Sequence, residues 1–188
     1  LTSMRDDVLR LRQLVEGLTA LTRVDASDLG RSHELMRAGE VASNALAAEA
    51  ATLRAAGNTV TVQLDDDPEI EANRSLVEAA LGNLLRNAAR HAPGRDVVLQ
   101  VARRGDFAEF TVDDAGPGVE ESEREVLFDR FVRGGRAREL DRQGLGLGLS
   151  ITREVARRHG GDCVLERSPL GGLRARLTLR LPAPLSDV

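Results

Sequence analysis

The stretch Asn83-Leu-Leu-Arg-Asn87-Ala-Ala-Arg90-His91 decides the reading of this chain. Apolar spacing predicts a helix from about residue 73 to His91, stopped by Ala92-Pro93-Gly94. On that helix Asn83, Asn87, Arg90 and His91 share one face. Two amides, a guanidinium and an imidazole make a poor core stripe. Amide oxygens are neutral, hard donors that can complete a Mg²⁺ shell already rich in phosphate oxygens and water. Taken alone, the stripe reads more simply as a solvated helix face.

Two further motifs lie downstream. Val112-Asp113-Asp114-Ala-Gly116-Pro-Gly118 ends a strand in a carboxylate and then turns sharply on two glycines. Such an Asp can accept from an exocyclic amine; a plain turn is the alternative. Gly144-Leu145-Gly146-Leu147-Gly148 precedes a helix predicted to run to His159. Free N–H groups and the positive end of a helix dipole suit a phosphate there. The GxGxG spacing after a polar loop does not fit a dinucleotide fingerprint, which needs GxGxxG after a strand. A glycine hinge remains the alternative.

Around these motifs the elements alternate between the two classes. Helix is predicted for about 33–56 and, in short form, for about 123–131. Strands are predicted for 59–64, 97–101, 107–113, 163–166 and 174–181. Asp65-Asp-Asp-Pro68 reads as a turn, and the Arg-rich stretch 133–138 as a polar loop. Strands fall in adjacent pairs, which predicts a two-layer α/β sandwich: a mixed sheet with helices on one face. Ahead of it, Met4, Val8, Leu11, Val15 and Leu18 form an a/d seam on one long helix. A lone amphipathic helix must pack on something, so a helical bundle or a second subunit is expected, with the α/β domain itself as the alternative. The expected organisation is a bundle helix and linker over 1–28, the α/β domain over 29–184 and a tail over 185–188.

Composition narrows the chemistry. All 26 basic residues of the 188 are Arg, and no Lys is present. Walker-type P-loops, eukaryotic-type protein kinases and Schiff-base enzymes all need a Lys and are excluded. A net charge of −4 argues against general nucleic-acid binding. Cys163 is the single cysteine and can form no internal disulfide. No apolar run reaches the about 18 residues of a membrane span. The chain begins with Leu1, so an excised fragment is expected.

In this order the three motifs resemble the N, G1 and G2 boxes of the catalytic domain of sensor histidine kinases. Glu125-Val-Leu-Phe128-Asp-Arg-Phe131-Val-Arg133 looks like the family's F box, and Gly171-Gly172 is similar to its last glycine box. The resemblance covers about 33–182, and the leading helix looks like the second helix of the family's dimerisation hairpin. It implies the Bergerat (GHKL) ATP-binding fold, with ATP and Mg²⁺ as ligands. It implies that Asn87 ligates Mg²⁺ with Asn83 assisting at the phosphates, that Arg90 lies near the phosphates and that His91 lines the nucleotide. Asp114 would accept from the adenine amine in a pocket shaped by Gly116 and Gly118. Arg133 would reach the terminal phosphate, and Gly144, Leu145, Gly146, Leu147 and Gly148 would cradle phosphates. Phe128 and Phe131 would anchor the loop between the G1 and G2 boxes.

Gyrase-like and Hsp90-like ATPases of the same fold carry a Glu four residues before the Mg²⁺-binding Asn. Here that position is Asn83, and an amide cannot act as a general base. Anti-sigma-factor kinases of this fold lack the leading helix. The expectation is therefore phosphoryl transfer to a His on a helix outside this chain, then to a response-regulator receiver domain. The alternatives are a GHKL ATPase or a non-catalytic nucleotide-binding and dimerisation module. A homodimeric parent anchored in the plasma membrane, with this domain in the cytoplasm, is implied. His33-Glu34-Leu imitates the acceptor motif without its Arg-Thr-Pro, and His159 reads as a helix-end residue.

Overall fold

A computed structural model of the chain describes residues 33–129, 132 and 146–183. The leading helix, Phe131, Arg133, Gly144 and Leu145 fall outside the described residues. The elements are β1 (Glu34–Arg37), α1 (Ala38–Ala55), β2 (Thr59–Leu64), β3 (Glu69–Ala72) and α2 (Arg74–His91). They continue with β4 (Asp96–Arg104), β5 (Phe107–Asp114), α3 (Glu121–Arg124), α4 (Gly148–Arg158), β6 (Cys163–Arg167) and β7 (Leu173–Arg180).

Five strands form one sheet in the order β2-β4-β5-β7-β6. The β2–β4 pair is parallel and the other pairs are antiparallel. Alternation explains the two faces. Ala108, Phe110 and Val112 of β5 point into the core, as do Leu177 and Leu179 of β7. They meet Leu53 of α1, Leu81, Leu84 and Leu85 of α2 and Val155 of α4. The opposite face is ionic: the Arg174 guanidinium grips Asp113 at 2.8–3.1 Å, and Arg176 pairs with Glu166. This is the expected mixed sheet with helices on one face.

Two parts of the sequence reading need correction. The helix expected over 33–56 begins only at Ala38, because residues 34–37 form β1. That strand pairs antiparallel with β3, which the sequence reading lacked, with Met36 opposite Ile70. Both side chains are buried. The start of α1 is fixed from a distance: Pro68 accepts from the Ala38 N–H at 3.0 Å, and the Asp67 carboxylate from the Gly39 N–H at 2.7 Å. Arg74 then ties the β1–β3 pair to α1 by bonding Glu34 and Glu40.

The short helix expected over 123–131 is instead α3, followed by a tighter 3₁₀ turn over Val126–Phe128 and an extended Asp129. Phe128 is buried by this turn, and the Arg153 guanidinium lies 4.4 Å from its ring centre. Arg153 also bonds Glu125 and Asp162. Phe128 thus packs against α4 through Arg153, whereas Phe131 lies outside the described residues.

His159 caps α4 and is buried. Its Nδ1 lies 2.7 Å from the Val155 carbonyl, and its Nε2 accepts the Asn73 N–H at 3.1 Å. A carbonyl only accepts and an N–H only donates, so the ring must be neutral with its proton on Nδ1. Burial pushes its pKa below the usual 6.5, and the stacked His33 ring adds to that. A group with a lowered folded pKa binds fewer protons when folded. Its stabilisation is complete above about pH 6.5 and is lost as pH falls through the folded value. Melting temperatures measured between about pH 8 and pH 5 should therefore fall more steeply for the wild type than for His159→Gln, which is less stable at neutral pH.

Candidate functional site

Helix α2 is the wall from which the site is built. Its N-cap is Asn73, whose side chain accepts the Leu76 N–H at 3.1 Å. Leu81, Leu84, Leu85, Ala88 and Ala89 face the core, which turns Asn83 and Asn87 to a half-buried flank and leaves Arg90 and His91 exposed.

The middle of α2 faces the start of α4. The Asn83 amide donates from Nδ2 to the Gly148 carbonyl at 3.4 Å, and its Oδ1 accepts from Arg86. Arg86 in turn pairs with Glu49 of α1. A Cβ at Gly148 would lie 3.7 Å from the Asn83 side chain, so the two elements touch. Gly146 adopts φ +68°, a conformation that favours glycine, and Leu147 is buried. Gly148 therefore sits beside Asn83.

The end of α2 faces the turn after β5. Asp114 is buried at the strand end, and its Oδ1 accepts two backbone N–H bonds, from Gly116 at 2.9 Å and Leu173 at 3.1 Å. Burial raises its pKa above the usual carboxylate value, and the two N–H bonds and His91 oppose the rise. A Cβ at Gly116 would come within 2.9 Å of the Ala92 Cβ and 3.1 Å of the His91 carbonyl. Glycine there lets the turn lie directly on the end of α2. A cavity of about 390 Å³ opens between them, lined by His91, Ala92, Pro93, Arg95, Ala115, Gly116 and Pro117. Gly118, at φ +71°, lies against the Gly172 carbonyl.

Asn83 on α2 meets Gly148, and the end of α2 at His91 and Ala92 meets Gly116 beside Asp114. Asn87 and Arg90 lie on the same helix, Gly118 lies against Gly172, and Gly146 and Leu147 directly precede α4, whereas Arg133, Gly144 and Leu145 lie outside the described residues. Gly172, quoted from the sequence only as part of a glycine box, and Leu173, which carries no sequence signal of its own, both meet Asp114. A Cβ at Gly172 would lie 2.3 Å from Asp114 Oδ1 and 2.5 Å from the Gly116 nitrogen. The signal was the Gly171-Gly172 pair just before a strand. The sequence reading missed Glu49 and Arg86.

Among the described residues no cluster of three or more His, Cys, Asp or Glu could hold a metal. The site's donors are neutral amides. Amide oxygens suit a hard cation that brings its own anionic oxygens, as a phosphate-bound Mg²⁺ does. Among the described residues no helix is long and apolar enough to cross a membrane.

Comparison with known proteins agrees with this fold. The sensor protein IrlS of Burkholderia pseudomallei is 34% identical over 187 residues, spanning 95% of this chain and 38% of its own length. The sensor-type histidine kinase PrrB of Mycobacterium tuberculosis is 45% identical over 105 residues, 56% of this chain and 22% of that protein. The chain therefore spans less than half the length of the curated relatives it matches. Among solved structures, the mycobacterial sensor histidine kinase MprB superposes with a TM-score of 0.69 at 28% identity, covering 80% of this chain and all of that one. The ATP-binding domain of Mycobacterium tuberculosis PrrB gives 0.65 at 30% identity, covering 81% and 99%. Residues 72–184, from the end of β3 past β7 and so including the motifs from Asn83 to Gly172, match the family described as histidine kinase-, DNA gyrase B- and HSP90-like ATPase. The sheet order, the Asp114 turn and that match lead to one conclusion: this chain belongs to the histidine kinase-, DNA gyrase B- and HSP90-like ATPase family, on its sensor histidine kinase side.

Proposed function

We propose that this domain binds Mg-ATP and transfers its γ-phosphoryl group to a histidine on a bundle helix, for relay to an aspartate of a response-regulator receiver domain. The parent is then a homodimeric membrane sensor with this domain in the cytoplasm, residues 1–28 packing in its dimerisation bundle, 29–184 forming the catalytic domain and 185–188 a tail. Asn87 ligates the metal, while Arg90 and Arg133 neutralise phosphate charge. His91 lines the nucleotide, Asp114 accepts from the adenine amine, and Gly116 and Gly118 shape that pocket. Gly144 to Gly148 offer backbone N–H groups to phosphate oxygens. Bound Mg²⁺ supplies charge neutralisation at the phosphates. The residues themselves contribute position and electrostatics rather than covalent chemistry.

The observation that carries kinase over hydrolase is Asn83. Its amide is engaged by Arg86 and by α4, and it has no basic atom to activate water. The test is incubation with Mg-ATP. Expected are nucleotide binding, little phosphate release, and acid-labile phosphate only when the acceptor helix of the parent is present. Steady phosphate release would make it an ATPase. Acid-labile label on this chain alone, lost in His33→Ala, would move the acceptor to His33.

Asp114→Asn sharpens the adenine assignment. Two N–H donors converge on Oδ1, so an Asn must place its oxygen there and its NH₂ where Oδ2 stood. Donor then faces the adenine amine. ATP affinity should fall by about thirtyfold, about 2 kcal/mol. GTP presents a carbonyl at the same ring position and should lose less, so calorimetric titration with both nucleotides should show a narrowed ratio.

A further inference from the structure

We infer that Arg86, held by Glu49, is a positioning residue that fixes the Asn83 side chain as a hydrogen-bond donor at the start of α4. The inference rests on the ATP-binding reading above and deepens it.

A guanidinium can only donate, so the Asn83 atom facing Arg86 is Oδ1. The Gly148 carbonyl can only accept, so the atom facing it is Nδ2. The two neighbours leave the amide a single orientation. Its oxygen is turned toward Arg86 and its NH₂ toward the glycine-rich helix start. Asn83 therefore serves phosphate oxygens as a donor, and Asn87 is left as the amide that ligates the metal.

Arg86 is itself held. Glu49 on α1 is 8% exposed, and a carboxylate so placed needs a partner. Arg86 bonds it through Nη1 and keeps Nη2 for Asn83. Gly82 is a second sign of the pair. A Cβ there would lie 3.2 Å from Glu49 Oε1 and 3.3 Å from Arg86 Nη1, tighter than ordinary contact. Glycine inside a helix costs about 1 kcal/mol against alanine, and at this position it gives the ion pair its room. The chain Glu49–Arg86–Asn83–Gly148 thus links α1, α2 and α4 through side chains.

Arg86→Lys separates positioning from folding. A lysine can still neutralise Glu49 but lacks the fork that reaches both partners. Binding of a fluorescent ATP analogue, titrated at several Mg²⁺ concentrations, should weaken about tenfold. The Mg²⁺ dependence should stay as in the wild type, and the melting temperature should stay close to it. Asn83→Ala should weaken binding similarly, and the double variant should lose little more, since both remove one interaction. Additive losses, or wild-type affinity in Arg86→Lys, would overturn the positioning role. Absence of ATP binding by the wild type would overturn the ATP reading and this inference together.

Discussion

Replacing Gly172 by alanine is expected to open the Asp114 site and destabilise the domain by about 3 kcal/mol or more. The added Cβ would stand 2.3 Å from Asp114 Oδ1, 2.4 Å from the Asp114 carbonyl and 2.5 Å from the Gly116 nitrogen. Two of these three are backbone atoms, so no rotamer change relieves the clash. β7 must move away from the turn, which breaks the Leu173 N–H bond to Asp114 and loosens the Ser168 N–H bond to the Gly172 carbonyl. Gly118 rests on that same carbonyl and shifts too. ATP affinity should vanish with the pocket. Gly171→Ala is the control. Gly171 has φ +96° and nothing within 4 Å of an added Cβ, so only backbone strain of about 1–2 kcal/mol is expected. Denaturant unfolding and nucleotide titration of both variants test the contrast. Equal losses at the two glycines would mean that the close approach at Gly172 is not what holds the turn.

The sheet and α2 were legible because their signals are local. Thr59-Val-Thr-Val-Gln-Leu64 alternates, and Asn73 caps α2 from within its own turn. The β1–β3 pair was not legible, because each strand has four residues and they lie more than 30 residues apart. Apolar spacing in 33–56 continues the helical period across β1. What breaks the helix is Asp67, 28 residues away in sequence, holding the Gly39 N–H. The 3₁₀ turn was missed for a similar reason: the winding at Phe128 fits the face of α4 and Arg153, which the local sequence does not display.

The site divides the same way. Asp114 and its glycines were readable because a strand end, a carboxylate and a turn are contiguous. Leu173 and Gly172 join them only because β7 pairs with β5, with Asp113 opposite Arg174. Glu49 reaches Arg86 only because α1 packs on α2. The Lys-free composition pointed away from Lys-dependent phosphate chemistry. In the described residues an Arg does take a structural post beside the site, at Arg86, where its fork spans two partners with separate nitrogens.

Asn87→Ala carries the strongest functional expectation. Alanine is the best helix former, and Asn87 is a half-buried flank residue rather than a core one, so α2 should persist and the melting temperature should change little. Metal affinity is a different matter. Among the described residues the site offers no acidic cluster to hold Mg²⁺. A Mg²⁺ bound as proposed would be held by phosphate oxygens, water and very few protein atoms, so each protein ligand would count heavily. Asn83 does not substitute, because its oxygen is committed to Arg86. Affinity for Mg-ATP should fall by about a hundredfold or more. Affinity for ATP without metal should fall far less, because the adenine contact proposed at Asp114 and the phosphate contacts proposed before α4 are untouched. Phosphoryl transfer should be lost. Asn87→Asp restores a hard oxygen ligand and should recover part of the metal dependence, which a purely structural role for Asn87 would not produce. Titrations with and without Mg²⁺ separate the two readings: an Asn87→Ala variant that keeps the wild-type difference between them removes Asn87 from the metal site.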